Sequence, residues 1–100
     1  MPLFVVFSKL TDKGAETLFR KPDRVGEVNQ ELEDMGVKVR EQYIMLGEWD
    51  FLNIVEAPDE KTLVAALTNL NMRGTIRTAT FRIIPVDEFI GMLKEKRLGE

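Results

Sequence analysis

The chain contains neither cysteine nor histidine in 100 residues. These two absences remove disulfides, thiol nucleophiles, imidazole bases and the commonest zinc and iron ligands together. No metal and no cofactor is implied. A Gly-rich run followed by Lys and Ser or Thr is also missing, which excludes phosphate-loop nucleotide binding. The apolar stretch at residues 1–7 has no basic flank and is far too short to be a signal or a membrane span. The cytoplasm is therefore the expected compartment, with no membrane partner. The net charge is -3, and the Lys and Arg residues are scattered among carboxylates, so no nucleic-acid partner is expected.

What remains is an ordinary globular balance, 44% hydrophobic and 31% charged, with no linker-like or low-complexity tract. Residues 1–100 read as a single domain, long enough to bury about two-thirds of its unfolded surface. Residues 3–8 are apolar at nearly every position and predict a strand buried on both faces. Thr11 is placed to cap a short helix from Asp12, which Lys21-Pro22-Asp23 interrupts. Val25, Val28, Leu32 and Met35 then form one apolar stripe of a second helix, and Gly36 supplies its stop. Residues 37–45 alternate loosely, with Val37, Val39, Tyr43 and Met45 in one register, as a part-exposed edge strand would. Residues 51–55 are again apolar on both faces, and Gly47-Glu48-Trp49-Asp50 makes the two runs a hairpin.

Pro58 and Asp59 open a helix whose stripe is Leu63, Ala66, Leu67 and Leu70. Residues 75–84 alternate as a fourth strand, ended by Pro85. Val86, Phe89, Ile90 and Leu93 predict a last amphipathic helix. The order is an α+β, ferredoxin-like βαββαβ domain plus a C-terminal helix, with a four-stranded antiparallel sheet and its helices on one face. The two strands expected at the centre carry apolar residues in both registers, so the second sheet face needs a cover. The simplest cover is another copy, giving a homodimer or higher even oligomer in which two sheets enclose a cavity, a dimeric α/β barrel.

Four segments carry a resemblance. Lys9-Leu10-Thr11-Asp12-Lys13-Gly14, residues 43–50, Ile54-Val55-Glu56-Ala57-Pro58-Asp59 and Gly74-Thr75-Ile76-Arg77-Thr78 resemble successive landmarks of the GYD-domain family. The tyrosine of the family's Gly-x-Tyr-Asp signature is here Trp49, which keeps a large ring and loses the phenol. The resemblance implies a ferredoxin-like fold related to dimeric α/β-barrel proteins. That superfamily includes monooxygenases, isomerases, cyclases and proteins without known activity, so it supplies no reaction.

Candidate ligand-binding residues are Tyr43, Trp49, Asp50, Asn53 and Arg77. Trp49 and Asp50 could cap a cavity mouth, or Asp50 could fix the turn through backbone amides while Trp49 packs on a neighbour. Tyr43 and Asn53 would bind a carbonyl or phenolic oxygen if both face inward, or form a buried pair with no ligand. Arg77 and Arg82 fall in opposite registers, so at most one reaches the cavity to hold an anion, the alternative being an ion pair with Glu or Asp on a helix or partner chain; Arg77 is preferred because it lies inside the family-like Gly74-Thr75-Ile76-Arg77-Thr78 stretch. Glu56 and Asp59 are explained by capping and dipole roles. The expected function is a small homo-oligomeric binding or structural module whose intersheet cavity takes a small organic ligand. The alternative is a cofactor-free oxygenase- or isomerase-like enzyme using that cavity, for which a carboxylate of raised pKa would be the sign. An RNA-recognition module on the same topology lacks the required Gly-aromatic pattern.

Overall fold

A computed structural model describes residues 1–98. Along them run β1 (Leu3–Leu10), α1 (Asp12–Arg20), α2 (Arg24–Asp34), β2 (Lys38–Ile44), β3 (Phe51–Glu56), α3 (Glu60–Met72), β4 (Ile76–Ile83) and α4 (Val86–Leu98). The strands form one antiparallel sheet in the order β2-β3-β1-β4. The two strands apolar in both registers, β1 and β3, are the central pair, as their sequence requires.

Because successive side chains on a strand point to opposite faces, the pairing sorts every position. Phe4, Val6 and Ser8 of β1 lie opposite Val55, Asn53 and Phe51 of β3, and opposite Arg82, Thr80 and Thr78 of β4. Phe4, Val6 and Ser8 are buried, and the core continues through Leu32, Val37, Val55, Leu63, Ala66 and Leu70, so this is the face the helices cover. Leu3, Val5 and Phe7 alternate with them on the other face, beside Leu52 and Ile54 of β3 and Ala79, Phe81 and Ile83 of β4. Among the described residues, no helix packs extensively there.

Register in β2 departs from simple alternation. The strand slips by one residue between Val39 and Glu41, and a bulge of this kind moves all later side chains to the other face. Val39 therefore lies opposite Val55 on the helix side, whereas Tyr43 lies opposite Leu52 on the open side. Their expected shared register is corrected by the extra residue at Arg40.

Helix ends follow the local chemistry. The Thr11 hydroxyl accepts the Gly14 amide at 3.1 Å, and the Asp59 carboxylate accepts the Thr62 amide at 2.8 Å, starting α1 and α3. That amide bond is the main reason the Asp59 carboxyl titrates below its ordinary range. Thr11 also donates its amide to Thr75 O at 3.0 Å and its hydroxyl to Gly74 O at 2.7 Å. The first turn of α1 thus sits directly on the backbone between α3 and β4. A Cβ at Gly14 would lie 2.0 Å from Thr75 O, so only glycine permits the approach.

The last helix forms where its pattern predicts, yet its apolar stripe is not buried. Phe89 is 50% and Leu93 49% exposed. A compact 100-residue domain has a radius of gyration of about 13 Å, whereas this chain has 16.0 Å and extends over 58 × 29 × 19 Å. The excess reflects an arm that leaves the body of the domain.

Candidate functional site

The segment between β2 and β3 is fixed by Asp50. Its amide donates to Ser8 O at 2.9 Å, its Oδ2 accepts the Leu10 amide at 2.7 Å, and its carbonyl accepts the Met45 amide at 2.8 Å. One residue therefore joins the ends of β1, β2 and β3. The neighbouring Trp49 lays its ring 5.9 Å from that of Phe7, and Phe81 meets Phe7 edge-on at 6.0 Å. The Trp49 ring is tilted by 39° to Phe7 and the Phe81 ring by 73°, and edge-on contacts at this separation are favourable. Phe7 is thus flanked by two large rings at the centre of the open sheet face.

Tyr43 stands on the same face, 53% exposed, and donates its hydroxyl to Glu41 Oε1 at 2.6 Å. That bond to a carboxylate holds the phenol above its ordinary pKa. Arg77 pairs in register with Lys9, which places it on the open face, exposed at its fringe. Arg82 takes the opposite register, with its guanidinium 5.5 Å from the centre of the Phe4 ring. Asn53 does not join the others. It lies opposite Val6 and Gln42 on the helix side, while its neighbour Leu52 is the residue beside Tyr43. The five candidates are therefore divided between the two faces of the sheet.

On the helix side lies a cavity of about 280 Å³, walled by residues of all four strands and of α1, α2 and α3. Its apolar wall includes Val6, Leu32, Val55, Leu63 and Leu70. A shallower depression shares Leu18, Val25, Gln42 and Phe51 with it and continues the space toward Tyr43 and Ile44 on β2. At about 24 cal/mol per Å³, a closed and empty void of 280 Å³ would cost about 7 kcal/mol, comparable with the whole stability of a small domain. The space is instead partly open to solvent.

Most polar groups on its wall are already partnered. Asn29 and Gln42 exchange amide hydrogen bonds at 2.9 and 3.3 Å. Asn71 donates to Thr78 Oγ1 at 2.9 Å and Leu67 O at 2.7 Å. Arg24 and Arg73 both hold Glu31, Arg24 at 3.0 Å, tying α2 to the end of α3. Arg73 is the larger cause, and Arg24 the smaller, of a Glu31 pKa below the ordinary glutamate value. Among the described residues Asn53 stands apart as a buried case: its Oδ1 is enclosed and no protein donor reaches it. Sequence reasoning named Asn53 but not Asn29, Gln42 or Glu31. The available signal was the pair of amides, Gln42 and Asn53, interrupting apolar strand positions, with Asn29 beside the Val28 stripe.

Among the described residues, no group of three or more His, Cys, Asp and Glu side chains could hold a metal ion, and no helix is long and apolar enough to cross a membrane. Comparison with known proteins agrees with the topology. The chain is 53% identical over 95 residues to the "Glutamine synthetase and cystathionine beta-lyase binding protein" of Thermus thermophilus, covering 94% of this chain and 100% of that protein. In fold it is similar to the leucine response regulatory protein LrpA of Mycobacterium tuberculosis, with a TM-score of 0.58, 18% identity and 84% of this chain covered. It spans about half of that regulator, 51%. It is also similar to TTHA0845 of Thermus thermophilus, with a TM-score of 0.54, 21% identity, and 85% and 95% of the two chains covered. The family model described as "GYD domain" matches residues 4–93, and the chain belongs to the GYD domain family.

Proposed function

We propose that this protein is a binding module that pairs with a second copy through its open sheet face and, as that pair, engages larger metabolic enzymes. The observation that carries the pairing is the row of Val5, Phe7, Leu52, Ile54 and Phe81 on two central strands and one edge, capped by Trp49 and, among the described residues, not packed extensively by any helix. A contiguous apolar surface of this kind is the mark of an interface. The exposed apolar residues of α4 supply a second unpartnered surface, suited to embrace the other copy. A self-complementary two-fold contact is the economical way to cover both.

The binding role is supported by the Thermus relative, whose name makes it a binding protein for glutamine synthetase and cystathionine beta-lyase. On this reading the present chain takes the same two kinds of enzyme as partners. Tyr43, Trp49 and Arg77 fringe the space between the paired sheets, where a small organic molecule would also be held. The carboxylates with shifted pKa values, Glu27, Glu31 and Asp59, are all lowered by hydrogen-bond donors, opposite to the shift a general base for the enzyme alternative would show.

Light scattering of the purified chain, with Phe81→Glu beside it, tests the pairing. The native chain is expected to have twice its monomer mass or an even multiple, and the variant to be monomeric with unchanged circular dichroism; a native monomer at micromolar concentration refutes it. Biolayer interferometry against purified glutamine synthetase and cystathionine beta-lyase tests the partners. Failure to bind either one refutes that part.

A further inference from the structure

We infer that the cavity between the helices and the sheet is a binding site for a small, mainly apolar molecule of about two-ring size that brings one hydrogen-bond donor, received by Asn53. Neither the open-face interface nor the relative's named partners call for this site, and it stands independently of them. Three observations converge on that chemical class. The first is size: a cavity of about 150 Å³ accommodates benzene, so about 280 Å³ suits a fused bicycle or a ring with a short chain.

The second is the wall. Val6, Leu32, Val55, Leu63 and Leu70 present hydrocarbon to the space, and burial of apolar ligand surface against such a wall is the main source of affinity in pockets of this size. Of the three cations on its lining, Arg24 and Arg73 are both engaged by Glu31, and Lys13 of α1 is the third.

The third is the unmatched acceptor. Asn29 satisfies Gln42 and Thr78 satisfies Asn71, while Asn53 lines the same cavity with its buried Oδ1 lacking a protein donor. Buried polar atoms in native proteins are nearly always paired. An N–H or O–H on the ligand completes this wall, and an isostere without the donor leaves the acceptor desolvated and unmatched. The depression toward Tyr43 and Ile44 at the β2 edge, which shares Leu18, Val25, Gln42 and Phe51 with the cavity, is the route of entry on this reading.

Indole and benzothiophene are suitable probes: similar bicycles, one with an N–H and one with sulfur in its place. Calorimetric titration of the native chain is expected to show indole binding about tenfold or more tighter than benzothiophene, the margin expected when a buried acceptor loses its donor. Amide chemical shifts should move at Val6, Asn53, Leu63 and Leu70. Asn53→Leu should lose that preference and bind benzothiophene at least as well as indole. Equal affinity of the native chain for both probes, no binding of either up to its solubility, or shifts confined to Tyr43, Trp49 and Phe81 would each overturn the inference. The native-chain comparison decides the matter even if Asn53→Leu does not fold.

Discussion

Gly14→Ala should be strongly destabilising although the residue lies within a helix. Alanine in place of glycine inside a helix is ordinarily favourable by about 1 kcal/mol. Here the new Cβ would stand 2.0 Å from Thr75 O and 2.9 Å from Thr75 C, against main chain that no rotamer change can clear. Relief requires α1 to lift from the segment joining α3 to β4. That movement strains or breaks the Thr11 amide bond to Thr75 O, worth about 1 kcal/mol net, and adds overpacking of about 1–3 kcal/mol. After the helix gain is subtracted, about 1–3 kcal/mol of stability should be lost, or about 5–20 °C in Tm for a domain of this length.

Gly26→Ala is the matched control. It lies in α2, where a Cβ would meet nothing within 4 Å beyond its own turn of helix, so the propensity term acts alone and Tm should rise by a few degrees. Thermal and urea unfolding followed by far-ultraviolet circular dichroism, at one protein concentration because association contributes to apparent stability, would measure both. A Gly14→Ala protein as stable as the native chain would refute the seating of α1 on Thr75.

Two further outcomes concern ionisable groups. Glu31 is held below the ordinary glutamate value of 4.5 by Arg73 and then Arg24, so its contribution is present above that pH and is lost as acid titrates the folded-state carboxylate; the Tm difference between native chain and Glu31→Gln should be largest near neutrality and vanish in strong acid, and a difference independent of pH would contradict the ion-pair reading. Tyr43 is the chain's one tyrosine, so absorbance at the tyrosinate band reports it alone; its titration should lie above the ordinary value of 10.0 and fall back on Glu41→Gln, whereas coincident curves would mean that the Glu41 contact does not persist in solution.

Much of the fold was legible because it rests on periodicity and local chemistry. Thr11, Asp59 and Gly36 mark helix boundaries through bonds and backbone angles that depend on a few neighbouring residues. The central position of β1 and β3 followed from apolar residues in both registers. The faces within β2 were not legible, because the slip at Arg40 leaves no composition signal and reverses every later position. For the same reason Tyr43 and Asn53, chosen as a pair, fall on opposite sides. Nor could the sequence reveal that the turn residue Asp50 reaches across to the Leu10 amide, or that two stretches of the family resemblance, around Gly14 and Thr75, touch. Those contacts join residues far apart in the chain.

The division of Tyr43 and Asn53 between two faces has a physical consequence for how the two proposed sites would communicate. Gln42 and Asn53 line the cavity, and the residues next to them, Tyr43 and Leu52, form a cross-strand pair on the open face. A ligand among the first pair and a protein against the second would therefore press on the same two strands from opposite sides. Proximity alone creates no coupling; a ligand shifts association only by the difference in its affinity for the paired and unpaired forms. The β2 edge is the place for such a difference to arise, because its bulge at Arg40 already interrupts the ladder and the depression that shares Gln42 and Phe51 with the cavity lies beside Ile44. The central strands, held on both sides by continuous pairing, have much less freedom to respond.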